Sequence, residues 1–279
     1  MSRRLRLPLT LLSVACGAAR LAAQGVVIAP HAVYIDARVR SASVLLYNPN
    51  PQPAEITIST FFGYPVTDSL GRIVLRTVDH PDSTAPSAAD WIQAFPRRLT
   101  IAPLERQTIR LLATPPPGLP DGEYWARLVI AAKGGQVPIT GVSDTTRVKV
   151  GLTLEVRTII GMAYRKGAVH TGVAISHLRG AVVGDSVDIW SRIERQGNAA
   201  FVGTIHGSLV DTAGRVRAEF RAPIGVYYVL EPRYAAAVGA LAPGRYWLKL
   251  ELTTEREDLA PEVILPGAAV RDSVELRIP

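Results

Sequence analysis

The chain has 279 residues, with 31 Lys+Arg against 24 Asp+Glu, one Cys, 23 Gly, 21 Pro and 48% hydrophobic residues. This composition leaves room for one or two globular domains and excludes disorder, collagen and a bundle of membrane helices. The formal charge of +7 is no nucleic-acid footprint, because Arg3, Arg4, Arg6 and Arg20 crowd into the first 24 residues and no basic stripe follows.

Those first residues read as a secretory signal peptide. A positive stretch (Ser2-Arg3-Arg4-Leu5-Arg6) precedes an apolar run from Leu7 to Ala19 and small residues at Ala22-Ala23. The run is shorter than the roughly 20 residues a membrane span needs. An amphipathic first helix is the alternative. Cys16 follows Leu12-Ser13-Val14-Ala15, a weak lipoprotein box with Ser13 where Leu is usual, so lipid attachment is a second alternative to simple cleavage. Cleavage after Ala23 or Gln24 leaves no cysteine, which removes disulfides, thiol catalysis and thiolate metal sites together. The expected location is periplasmic or secreted, with no transmembrane segment in the mature chain.

From residue 25 onward, short runs rich in Val, Ile, Leu, Thr and Tyr alternate with Pro, Gly, Asn and Asp, and no window holds a 3.6-residue apolar stripe. Ser43–Tyr47 stops at Asn48-Pro49-Asn50-Pro51-Gln52-Pro53, whose three prolines force a loop or an edge. Ala54–Phe61 resumes the alternation, and Arg106–Leu111 is a further strand closed by Pro115-Pro116-Pro117-Gly118. Ser83–Ala94 and the Ala-rich Tyr234–Leu241 are places for a helical turn or two. Short, evenly spaced strands argue for sandwiches.

The chain also repeats itself. Leu119-Pro-Asp-Gly-Glu-Tyr124-Trp125-Ala-Arg-Leu128 is echoed by Leu241-Ala-Pro-Gly-Arg-Tyr246-Trp247-Leu-Lys-Leu250, and Asp68-Ser-Leu-Gly-Arg72 by Asp211-Thr-Ala-Gly-Arg215. The two offsets differ, so this is a pair of related domains rather than a solenoid, with chance similarity as the plain alternative. Tyr124 and Tyr246 are expected as tyrosine corners, ring inward and hydroxyl bonded back to the backbone. The expected fold is therefore all-β, two immunoglobulin-like β-sandwich domains in tandem, over residues 25–157 and 158–279 after a signal peptide at 1–24.

Val27-Ile-Ala-Pro-His31-Ala-Val-Tyr34, Ser43-Val-Leu-Leu-Tyr-Asn48 and Pro96-Arg-Arg-Leu-Thr-Ile-Ala-Pro-Leu-Glu-Arg-Gln-Thr-Ile-Arg110 together resemble the periplasmic pilus-assembly chaperones. The resemblance covers residues 26 to 157. It implies two immunoglobulin-like domains joined at an angle, the first lending its last strand to the sheet of a pilus or fimbrial subunit, with an outer-membrane usher as a further partner. It also implies a basic pair for the subunit's terminal carboxylate, an Arg on the first strand and a Lys on the last. Carried over by position, the Arg falls near His31 and the Lys near Thr153 when Arg157 is matched to the basic residue ending the family's last strand. Neither match keeps the charge, and Lys149 or Arg157 takes the role only in a shifted register.

The residues themselves make a separate case. Val148, Val150, Leu152, Leu154 and Val156 alternate with Lys149, Gly151, Thr153, Glu155 and Arg157, putting five apolar side chains on one face of a strand about 33 Å long. Such a face either adds to a partner's sheet or covers the domain's own core. Ahead of it, Lys133–Thr146 is Gly-rich and polar and reads as a long loop.

Nothing in the pattern points to catalysis, a cofactor or a metal. His31, His80, His170, His177 and His206 lack metal-ligand spacing, no G-x-S-x-G occurs, and no glycine-rich phosphate cradle opens a helix. Trp125 and Trp247 directly follow the corner tyrosines and so face away from those rings. Each is either covered by a neighbouring element or exposed beside Arg127 or Arg245 for a sugar or a partner chain. The expectation is a chaperone-like binding protein for a β-rich fibre subunit. A structural or adhesive cell-surface module and an envelope polysaccharide hydrolase are the rivals.

Overall fold

A computed structural model of the chain describes residues 25–134, 154–238 and 241–278. The segment 1–24 with Cys16, and Val148, Lys149, Val150 and Leu152, lie outside the described residues.

Ten strands build the first sandwich: β1 (Val27–Ala29), β2 (Ala32–Asp36), β3 (Ser41–Tyr47), β4 (Ala54–Thr67), β5 (Ile73–Val78), β6 (Ile92–Phe95), β7 (Arg98–Ile101), β8 (Arg106–Ala113), β9 (Gly122–Lys133) and β10 (Glu155–Lys166). One sheet has the order β1-β3-β8-β6, and the other β2-β10-β9-β4-β5, with β7 also on β4. The first stretch of chain changes sheets: β1 runs antiparallel to β3, and β2, two residues on, runs parallel to β10. Two sheets divided in this way, antiparallel except for the β2–β10 pair, match the immunoglobulin arrangement.

Alternation explains the core. In β8, Ile109, Leu111 and Ala113 are buried while Arg110 and Leu112 are exposed. Facing them across the sandwich lie Leu128, Ile130, Ile160, Met162 and Tyr164. Each fully buried large aliphatic contributes about 1.5–3 kcal/mol relative to exposure. The prolines from Pro49 to Pro53 fall between β3 and β4 as a loop, pinned by buried Asn48, whose Nδ2 donates to Gln52 O at 2.8 Å and Ile101 O at 3.1 Å.

The second sandwich holds β11 (Thr171–Val183), β12 (Ser186–Gly197), β13 (Phe201–Asp211), β14 (Val216–Val226), β15 (Val229–Leu230), β16 (Arg233–Ala237), β17 (Gly244–Thr253) and β18 (Val270–Ile278). Here β11-β12-β15, with β16 also on β12, faces β14-β13-β17-β18. Within the expected helical turn at Tyr234–Leu241, Tyr234–Ala237 is therefore strand. Arg233–Ala237 pairs antiparallel with Ser186–Trp190 and buries Ala236, so ladder and core contacts outweigh alanine's helix preference. Ser83–Ala94 contains turns and the start of β6 rather than a helix. The last strand of the first sandwich runs to Lys166, nine residues past the boundary expected at 157.

Both sequence echoes occupy matching places. Asp68 and Asp211 close the turns β4–β5 and β13–β14 with the same bonds: each Oδ1 accepts the amides two and four residues on, and each Oδ2 takes the Nε of Arg72 or Arg215. The Tyr124 hydroxyl donates to Pro120 O and the Tyr246 hydroxyl to Ala242 O, each at 2.8 Å, on β9 and β17. No helix among the described residues is long and apolar enough to cross a membrane.

Candidate partner-binding site at the open edge of the first sandwich

Strand β10 has two unlike flanks. On one side β9 pairs with its whole length, Glu155 to Lys166. On the other, β2 pairs only with Gly161–Arg165, and among the described residues no strand covers Glu155–Ile160. Six residues of β-edge, about 20 Å at the strand rise, thus pair with no described strand on this flank, where a Cβ at Gly25 would stand 3.5 Å from Val156 Cγ1. Leu154 just before the strand and Ile159 within it are each 45% exposed.

The expected apolar face is placed differently from a freely offered one at its described end. Val156 shares its side of β10 with Ile160, Met162 and Tyr164, which belong to the core, and Val156 itself is half-buried. The opposite side carries Arg157 and Ile159 and looks outward. Arg157 is no free cation. Its Nε binds the carboxylate of Glu155, which that bond holds below the usual carboxylate range, and Lys133 lies 3.6 Å from the same Glu155.

Beyond this edge, β10 passes under a cavity of about 210 Å³ at the junction of the sandwiches. His31, exposed between β1 and β2, stands at its rim. Arg127 projects into it from β9 because it lies on the outward side of a strand whose other side, Ala126 and Leu128, is core. Only Gly161 opposite leaves room, since a Cβ there would stand 3.0 Å from the Arg127 guanidinium. The Arg127 Nε donates to Gly63 O at 2.9 Å, its guanidinium lies 4.9 Å from the centre of the Tyr227 ring, and its buried Nη2 has no partner among the described residues. Arg256 also lines the cavity, held in a two-bond pair with Asp258 at 2.6 Å. Burial pushes the Tyr34 and Tyr227 phenols well above their ordinary value, so both stay neutral. A buried guanidinium N–H without an acceptor favours an anion or a water in this space.

The junction itself is fixed by Glu123. Its carboxylate accepts from Trp125 Nε1 at 2.9 Å, from the Ala200 amide of the second sandwich at 3.1 Å and from Arg165 Nε at 2.8 Å. Arg165 reaches on to Val263 O at 2.7 Å. Trp125 is 1% exposed, covered by Tyr227 and Tyr228 at ring-centre distances of 4.7 and 5.5 Å. The β4–β5 turn makes a second joint: Arg233 N donates to Gly71 O at 2.8 Å and Glu231 N to Thr67 Oγ1 at 2.9 Å. Glu123 and Arg165 were not singled out from the sequence, and Arg127 only as a neighbour of Trp125. Their signal is weak, because each is a charge on the side of β9 or β10 away from the core, among the apolar Trp125, Val129, Ile159 and Ala163 of that same side.

No group of three or more His, Cys, Asp or Glu residues able to hold a metal occurs among the described residues, and the five histidines are scattered.

The fold and this edge define a protein of two immunoglobulin-like sandwiches joined by a polar, aromatic-lined junction. No protein-family model matches the chain, and no curated protein does. Among solved structures it is similar to the YadV chaperone (17% identity, 90% of this chain and 99% of that one, TM-score 0.44). It is likewise similar to the CupB2 chaperone of Pseudomonas aeruginosa (13%, 88% and 98%, TM-score 0.40) and to the E. coli chaperone DraB (11%, 91% and 97%, TM-score 0.40).

Proposed function

We propose that this chain is an exported, chaperone-like binding protein that holds a β-rich surface-fibre subunit by adding the edge of β10 to the subunit's sheet. The observation that carries this reading is the flank of Glu155–Ile160, which pairs with no strand among the described residues. Backbone bonds along it would supply affinity, and Leu154 and Ile159, with Val148, Val150 and Leu152 earlier in the same stretch of sequence, would supply apolar contacts. The cavity carrying Arg127 and rimmed by His31 stands beside this edge and suits a carboxylate of the partner, taking the place of the basic pair expected at His31 with Lys149 or Arg157. An outer-membrane usher is a further partner on this reading.

Co-expression with a fibre subunit encoded beside this chain tests the proposal. A soluble one-to-one complex is expected. Ile159→Lys should abolish it and Arg127→Met should weaken it, while each free variant keeps the wild-type circular dichroism spectrum. A complex that survives Ile159→Lys intact would overturn strand addition at this edge, and failure of any flanking subunit to bind would leave a structural module.

A further inference from the structure

The repeat that ends in Tyr-Trp has two different fates. In the first sandwich, Trp125 points away from the core and is capped by tyrosines of the second sandwich. In the second, Trp247 stands at the matching place: β17 lies between β18 and β13 as β9 lies between β10 and β4, and each Trp follows its corner tyrosine. Yet Trp247 is 43% exposed, and nothing among the described residues caps it.

Its surroundings specify what would cover it. Strand β17 alternates cleanly, with Tyr246, Leu248, Leu250 and Leu252 in the core and Arg245, Trp247 and Lys249 exposed on the other side. Trp247 is opposite Glu275 on β18 and Val210 on β13, and Arg245 is opposite Arg277. Arg277 pairs with Glu275, and Arg271 with Glu251. Arg245 and Lys249 pair with no carboxylate among the described residues. The result is a cation-Trp-cation row along one outward sheet face, a composition that favours an acidic partner.

We infer that this face of the second sandwich is a second docking surface, distinct from the β10 edge, for an acidic polypeptide that covers Trp247 and pairs with Arg245 and Lys249. Trp125 shows in the same molecule how that position is closed: by aromatic side chains of another β-sandwich packed edge-on to the indole. The inference does not depend on strand addition, since the two surfaces lie on different sandwiches.

The test uses the full chain and a random copolymer of glutamate and tyrosine as probe, with polygalacturonate as the acidic non-peptide control. Binding is followed by fluorescence anisotropy of labelled protein over a salt series. The copolymer should bind, Trp247→Ala should weaken it about tenfold, and Arg245→Glu with Lys249→Glu should weaken it at least as much and flatten the salt dependence. Both variants alter exposed side chains, and thermal unfolding checks that they fold as the wild type does. Equal affinity of the wild type and both variants overturns the inference. So does polygalacturonate binding as tightly with the same loss on Trp247→Ala, which would make the face a polysaccharide site.

Discussion

Glu123→Ala is expected to destabilise the chain by about 3–5 kcal/mol, the range for breaking a buried ion pair by removing one partner. The geometry sets the size. The Glu123 and Arg165 side chains are only 2% and 15% exposed, so removing the carboxylate strands a guanidinium that water barely reaches. The Trp125 indole and the Ala200 amide lose their acceptor as well, at about 1–3 kcal/mol for each donor left dry. These losses overlap, because water entering the hole would serve several donors, so the pair value is the better guide. Glu123→Gln keeps an oxygen for Trp125 and Ala200 and removes only the charge, and it should fall between the wild type and Glu123→Ala. Glu123→Leu combined with Arg165→Met leaves no unpaired charge and should recover a large part of the loss. Urea unfolding measures all four proteins. With a slope of about 2–3 kcal/mol per molar, the midpoint of Glu123→Ala should fall by about 1–2.5 M. Because Ala200 belongs to the second sandwich, the single transition should also split in two. A midpoint shift below about 0.3 M would refute the claim that this carboxylate holds the junction.

Three further outcomes follow from individual side chains. Tyr234 stacks on Phe220 with ring centres 4.6 Å apart, its buried hydroxyl has no partner among the described residues, and burial pushes its phenol up to about 12. Tyr234→Phe should therefore raise stability by up to about 1 kcal/mol, whereas Tyr124→Phe and Tyr246→Phe should each lower it by about 1 kcal/mol, all read from urea midpoints. Gly71 has φ +79°, and a Cβ there would lie 2.9 Å from Arg233 N, so Gly71→Ala should loosen the second joint and speed amide exchange of Arg233 and Glu231. The backbone amide of Arg72 and the backbone amide of Arg215, each the leading cause, hold Asp68 and Asp211 below the ordinary carboxyl value. Their contribution is present above the unfolded carboxyl value and is lost as pH falls through the lower folded one, so stability should decline on acidification below about pH 4. Asp68→Asn with Asp211→Asn should make that decline shallower.

Alternation made the strands readable. Ser43–Tyr47, Ala54–Phe61 and Arg106–Leu111 each show one apolar side and one polar side, and each is a strand. The echoes were readable because a turn and a corner need particular residues: Asp and Arg to close one, Pro or Gly with Tyr to build the other. The junction was not. Ile160, Met162 and Ala163 put apolar groups on both sides of β10, since the second sandwich covers the side that carries Ala163, and that coverage hid where the first domain ends. Glu123, Arg127 and Arg165 look like ordinary surface charges in the sequence. Only the pairing of β9 with β10, and the chain returning at Ala200, Tyr227 and Arg256, brings them together. The Ala-rich β16 was misread because its strand character comes from its neighbour β12 rather than from its own residues.

The two sandwiches are bolted at two separated points, one at Glu123 with Arg165 and one where the β4–β5 turn meets Glu231 and Arg233. One such point would leave a swivel; two leave only rotation about the line that joins them. Motion of one sandwich against the other is thereby narrowed to a hinge about that line, and a substitution that opens either point should free a further axis of rotation.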